Sequence, residues 1–197
     1  MNFLAHIYLS GDNDQLKVGN FMADPIKGSD YKNYPGDYRR GIILHRKIDT
    51  FSDSHPIVHQ STHRLFKKFR HYNAVINDVF YDHFLAKNWE KYHPQDLAEY
   101  VQDFYALLEK DYEILPKKIQ HLLPYMKAQN WLLSYKDVSG IEKILSQMSS
   151  RIQADFQLND GIKILENHYD DFESEFTLFF DDIQNYVSEV LKKELKL

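Results

Sequence analysis

The sequence predicts an all-α fold, a single-domain multi-helix bundle over residues 1–197. Apolar residues recur at intervals of three and four in one stretch after another, as in Leu97, Tyr100, Val101, Phe104, Leu107 and Leu108. No stretch alternates with period two for long enough to make a strand. The chain has 197 residues, of which 15% are aromatic, enough large rings to fill one proper core.

Residues 2–10 read as a short helix stopped by Gly11, a favourable residue just past a helix end. Asp12 and Asp14 can cap a second helix that runs to Asp24, where Pro25 stops it. Residues 25–37 hold two Pro/Gly signals with Ser, Asp and Asn between them, and read as a surface loop. A helix over 37–51 follows, and His55-Pro56 opens the next, because proline suits the first helical position. Residues 73–88 and 96–111 are helical by period. So are 116–135 with a kink or break at Pro124, 138–156, and 160–195 with an interruption.

Composition excludes several classes. Cysteine is absent, so disulfides and thiolate metal sites are ruled out and a reducing compartment is expected. The first residues lack a basic region and His6 breaks their apolar run, so no signal peptide is expected; no apolar run reaches membrane-spanning length. The expected location is the cytoplasm, with no membrane partner. A net charge of −5 argues against nucleic-acid binding. No phosphate-cradling glycine loop, Gly-x-Ser-x-Gly elbow or His-Glu-x-x-His pair occurs, which favours metal-assisted hydrolysis over nucleotide-fold, covalent or proteolytic chemistry.

That chemistry has candidate residues. His45 and Asp49 lie four apart on one helix, and Asp78 and Asp82 four apart on another. Facing each other, the two helices would bring one imidazole and three carboxylates to one point, a ligand set for a divalent ion such as magnesium or manganese. Asp78 and Asp82 share a stripe with Val75, Val79 and Ala86, so a partner is expected for them: a metal, Arg46 or another basic group. The bland alternative is an ion-pair cluster that only ties two helices together. Arg64, Lys67, Lys68 and His71 form a basic face opposite Val58, Leu65, Phe66 and Phe69, either a docking surface or a solvated helix face.

Four ordered blocks then carry a resemblance. They are Met1-Asn-Phe-Leu-Ala-His6, Gly19-Asn-Phe-Met-Ala-Asp24, Gly41 to Pro56 with His45-Arg46-x-Ile-Asp49-x-Phe-Ser-Asp53-x-His55-Pro56, and Asp78-x-x-x-Asp82-His83-Phe84-Leu85 with Trp89. Together they resemble the acyl carrier protein phosphodiesterase family and cover most of residues 1–90. Trp131, Tyr135, Arg151 and His168-Tyr169 match more loosely. The resemblance implies an HD-domain-like metal phosphohydrolase, manganese-dependent, with magnesium or iron(II) as alternatives. Its implied reaction is hydrolysis of the phosphodiester joining 4′-phosphopantetheine to a serine of holo acyl carrier protein. The consecutive His-Asp pair that names the HD superfamily is missing; the nearest sequences are His45-Arg46 and Asp82-His83.

On this reading His45, Asp49, Asp82 and His83 hold one or two ions, with Asp24 and Asp78 as further ligands or orienting groups. Arg46 clamps a phosphate oxygen, and His6 and His55 serve as ligands or proton carriers. Arg64, Lys67 and Lys68 would meet the acidic carrier protein. The rival readings are a phosphohydrolase acting on a small phosphoester or nucleotide, and a non-catalytic helical binding module. Nothing in the sequence fixes an oligomeric state.

Overall fold

The computed structural model describes residues 1–194, and among them every regular element is a helix. The helices are α1 (Phe3–Leu9), α2 (Asp14–Phe21), α3 (Gly36–Ser54), α4 (Pro56–Phe69), α5 (Asn73–Lys87), α6 (Leu97–Lys110), α7 (Lys117–Ala128), α8 (Trp131–Ser134), α9 (Val138–Ser149), α10 (Gly161–Asn167) and α11 (Tyr169–Glu194). Short 3₁₀ turns link several of them.

Local chemistry explains most of the boundaries. Asn13 rather than a neighbouring aspartate caps α2, its side chain accepting the Leu16 N–H at 2.9 Å. His55 caps α4 through Nδ1, which accepts the Ile57 N–H, with Pro56 at the first helical position as expected. The helix expected over 116–135 is two. Pro124 is accommodated inside α7, and the break falls at Asn130, which takes the left-handed conformation (φ 46°). The helix expected over 138–156 ends at Ser149, and the interruption in 160–195 comes at His168.

α5 lies at the centre, with every residue from Val79 to Ala86 buried. α11 lays Phe172, Phe176, Phe179, Phe180 and Ile183 along its buried side, at the spacing of a core-facing stripe. Tyr81 and Phe84 of α5 meet Phe176 edge-on and tilted.

A buried polar knot fastens α4 and α5 to α11. Glu175, 6% exposed, accepts hydrogen bonds from Gln60 Nε2 (2.6 Å), Ser61 Oγ (2.5 Å) and Arg64 Nη1 (2.6 Å), and Ser61 also pairs with the Tyr81 hydroxyl at 2.7 Å. Each polar group finds a partner, which is the condition for burying a carboxylate.

The crossing of α2 and α3 sets the site. A Cβ on Gly41 would lie 2.3 Å from the Leu16 carbonyl oxygen, and one on Gly19 would lie 2.1 Å from that of Tyr38. Only glycine at both positions lets the backbones approach this closely. The expected result for Gly41→Ala is a loss of about 1–3 kcal/mol or more, because backbone must move to admit the methyl group. Urea unfolding of the variant beside the wild type measures it.

Candidate active site

The close α2–α3 crossing brings Asn20 beside His45, and α1 lays His6 on the other side. The two imidazoles stack with centroids 4.1 Å apart and planes at 22°. Asn20 is fully buried, and its amide is oriented by its own bonds: Nδ2 donates to the His6 carbonyl and to Ser10 Oγ, each at 2.9 Å. Its Oδ1 therefore accepts from both rings, from His6 Nδ1 at 2.8 Å and from His45 Nδ1 at 3.2 Å. Each ring thus carries its proton on Nδ1 and turns Nε2 away from Asn20. One amide fixes two tautomers.

Both Nε2 atoms face carboxylates. His6 Nε2 is 3.3 Å from Asp49 Oδ1, while His45 Nε2 is 3.1 Å from Asp49 Oδ2 and 3.3 Å from Asp24 Oδ1. With Nδ1 protonated, a neutral ring presents a lone pair here, and lone pairs opposite carboxylates repel unless a cation lies between them. A proton can fill that role: burial opposes charge on His45, yet its bonds to Asp24 and Asp49 raise its pKa to about 9. Burial pushes His6 the other way and favours the neutral ring. The Asp49 carboxyl resists its own burial through the bonds from His45 and His6, which hold it well below its usual range.

A divalent ion fits the same place. Ligand atoms of His6, His45 and Asp49 all lie within 4.8 Å of one another, a group that could hold a metal ion. Asp24 completes a set of two imidazoles and two carboxylates, each imidazole already oriented from behind as metal-bound histidines are.

The cluster forms one wall of a cavity of about 460 Å³. Asp53 and Asp78 extend the acidic wall. A second part of the lining, from α7 to α9 and the residues just after, carries Leu122, Trp131, Tyr135, Ile144, Gln147 and Met148, with Lys118 and Arg151. Burial, then the neighbouring Asp49 and Asp78 charges, raises the Asp53 pKa, so this carboxyl keeps a proton more readily than a free one.

Residues 1–183 match the family described as acyl carrier protein phosphodiesterase. The chain belongs to this family. Relatives named acyl carrier protein phosphodiesterase include one from Photorhabdus laumondii, 34% identical over 91% of each chain. One from Enterobacter is 32% identical over 91% of this chain and 94% of its own, and one from Escherichia coli O6:H1 is 30% identical over 95% and 98%. No solved structure matches the chain.

In this member of the acyl carrier protein phosphodiesterase family the expected residues separate into groups. His6, His45 and Asp49 converge on one point, and Asp24 meets them through His45 alone. Asp82 does not join them. Its carboxylate, fully buried, accepts N–H groups at the start of α1, from Leu4 at 2.8 Å and from Asn2 and Ala5 at 3.3 Å. The partner its burial demanded is a helix N-terminus, and through it Asp82 positions the helix that carries His6. Asp78 lines the cavity and pairs with the Met1 amino group at 2.9 Å. His83 faces elsewhere, bonding the Tyr135 carbonyl through Nδ1 and the Tyr169 hydroxyl through Nε2.

Arg46 is not at the cavity. Its guanidinium donates to the carbonyls of Gly28 (2.9 Å) and Ile26 (3.0 Å) and lies over Tyr31, so it pins the 25–35 loop instead of meeting phosphate. His55 caps α4 and pairs with Asp182 at 3.3 Å, also away from the cavity. The basic face of α4 is largely spent: Arg64 holds Glu175, Lys68 pairs with Asp160 at 2.8 Å, and only Lys67 of the three makes no ion pair among the described residues. Arg64→Glu is therefore expected to destabilise the protein by about 3–5 kcal/mol, because it sets a carboxylate against buried Glu175. Thermal or urea unfolding gives the value, and an effect confined to carrier-protein encounter would contradict it.

Sequence reasoning gave no role to Asn20 or to the α7–α9 wall, although Asn20 lies in the Gly19–Asp24 block and Trp131, Tyr135 and Arg151 were among the looser matches. Asn20 follows Leu16 by four residues on the buried side of α2, and a polar residue on that stripe was a second visible signal.

Proposed function

We propose that this protein hydrolyses the phosphodiester joining 4′-phosphopantetheine to a serine of holo acyl carrier protein, at a divalent metal centre held by His6, His45, Asp49 and Asp24. Family membership and the names of the relatives support the substrate. The pair of imidazoles oriented by Asn20 toward Asp49 and Asp24 is the observation that carries the metal centre. Mixed nitrogen and oxygen donors suit a borderline ion such as manganese better than magnesium, which prefers oxygen alone. When bound, such an ion polarises a phosphoryl oxygen and lowers the pKa of water toward neutrality.

The protein's own residues complete the reaction. With an ion in place of the proton between them and the carboxylates, His6 and His45 would offer it their Nε2 atoms, because Asn20 holds the other ring protons on Nδ1. In the hydrolysis a bond forms between a water oxygen and phosphorus, the bond from phosphorus to the serine oxygen breaks, and a proton goes to that oxygen. Asp53, in the cavity with a raised pKa, is placed to carry it. The products are apo carrier protein and 4′-phosphopantetheine.

The test is incubation of the purified protein with manganese and holo acyl carrier protein, with mass spectrometry of the carrier. Loss of the 4′-phosphopantetheine mass is the expected result. An unchanged carrier together with hydrolysis of nucleotides would overturn the reading in favour of a small-molecule phosphohydrolase.

A further inference from the structure

The scissile bond joins the arm directly to the carrier's serine, so on the reading above, on which this inference rests, the arm must continue past the acidic wall into the protein. We infer that the α7–α9 wall is its cradle: Leu122, Trp131, Ile144 and Met148 receive the neutral, partly apolar pantetheine chain, and Gln147 and the Tyr135 hydroxyl meet its amides.

The chemistry of the wall matches that of the arm. Apart from Lys118 and Arg151 the wall is mostly apolar with a few uncharged polar groups, as the arm is. The wall and the His6/His45/Asp49 cluster line one cavity of about 460 Å³, within the roughly 300–1,000 Å³ typical of small-molecule sites. Tyr135 is 2% exposed and its ring lines the cavity, yet its hydroxyl makes no hydrogen bond among the described residues. Burial holds its pKa well above the ordinary value, so it stays a neutral donor. An amide carbonyl of the arm would give this hydroxyl a hydrogen-bond partner. Trp131 and Met148 are partly exposed and can close on a flexible chain. Lys118 and Arg151, exposed and without ion pairs among the described residues, line the same cavity and add positive charge to it.

Pantetheine, which has the arm but no phosphate, tests this as a competitor of holo acyl carrier protein. The expected result is competitive inhibition of the wild type at millimolar concentration. Its inhibition constant should rise on the order of tenfold in Ile144→Trp, which fills the cradle, and in Trp131→Ala, which removes its largest contact. Tyr135→Phe should raise KM for holo carrier protein and leave kcat near the wild-type value, because the hydroxyl binds the arm and does not touch the reacting atoms. Absence of inhibition in a wild type that does process holo carrier protein would overturn the cradle and leave the proposed function standing. So would inhibition constants unchanged in folded Ile144→Trp and Trp131→Ala. A wild type that does not process holo carrier protein would overturn both.

Discussion

His45→Ala and Asp49→Ala each lower turnover of holo acyl carrier protein by on the order of 10³-fold or more, with helical content retained. His45 supplies Nε2 to the point where the carboxylates of Asp24 and Asp49 converge, and Asp49 is the one carboxylate among the described residues that reaches both imidazoles. Removing either leaves three of the four proposed donors. Neither substitution opens the core: His45 points into the cavity, and the Asp49 side chain is 42% exposed. Circular dichroism and steady-state turnover measured on the same preparations check both halves of the expectation.

Asn20→Ala gives the second large effect, and a different one. The four donor side chains remain, but both rings lose the acceptor that keeps their protons on Nδ1, so metal affinity falls by about 10–100-fold, as is usual when the group behind a ligating histidine is removed. Turnover of the variant should recover as the metal concentration rises, whereas that of His45→Ala should not. A metal titration of activity for the two variants separates the roles. Asn20 would be only a packing residue if the variant needed no more metal than the wild type.

The all-α fold was legible because helical periodicity runs through nearly every segment. The pairing of His45 with Asp49 was legible because both lie on one helix four residues apart. His6 was visible as a candidate, though its convergence on His45 depends on the crossing of three helices, which no local pattern encodes. Asp82 was read as a ligand because a carboxylate on a buried stripe demands a partner, and the demand was real. The partner is backbone N–H at the start of α1, and backbone leaves no mark in a sequence. Arg46 misled for the same reason, since carbonyls of Ile26 and Gly28 occupy it. Arg64 and Lys68 gave a convincing basic face because their acidic partners, Glu175 and Asp160, lie about a hundred residues further along the chain. In the α7–α9 wall Trp131, Tyr135 and Arg151 were visible as loose matches without a role, while Leu122, Ile144 and Met148 look like ordinary core positions until the fold lines one cavity with them and the acidic cluster.

Manganese titration of the metal-stripped protein, followed by electron paramagnetic resonance and by release of 4′-phosphopantetheine from holo carrier protein in the same samples, tests the centre most directly. Binding and turnover should rise together in the wild type and fail together when His6 and His45 are both replaced by alanine. Full turnover by the metal-stripped protein, or undiminished manganese binding by the double variant, would contradict a metal centre at these residues.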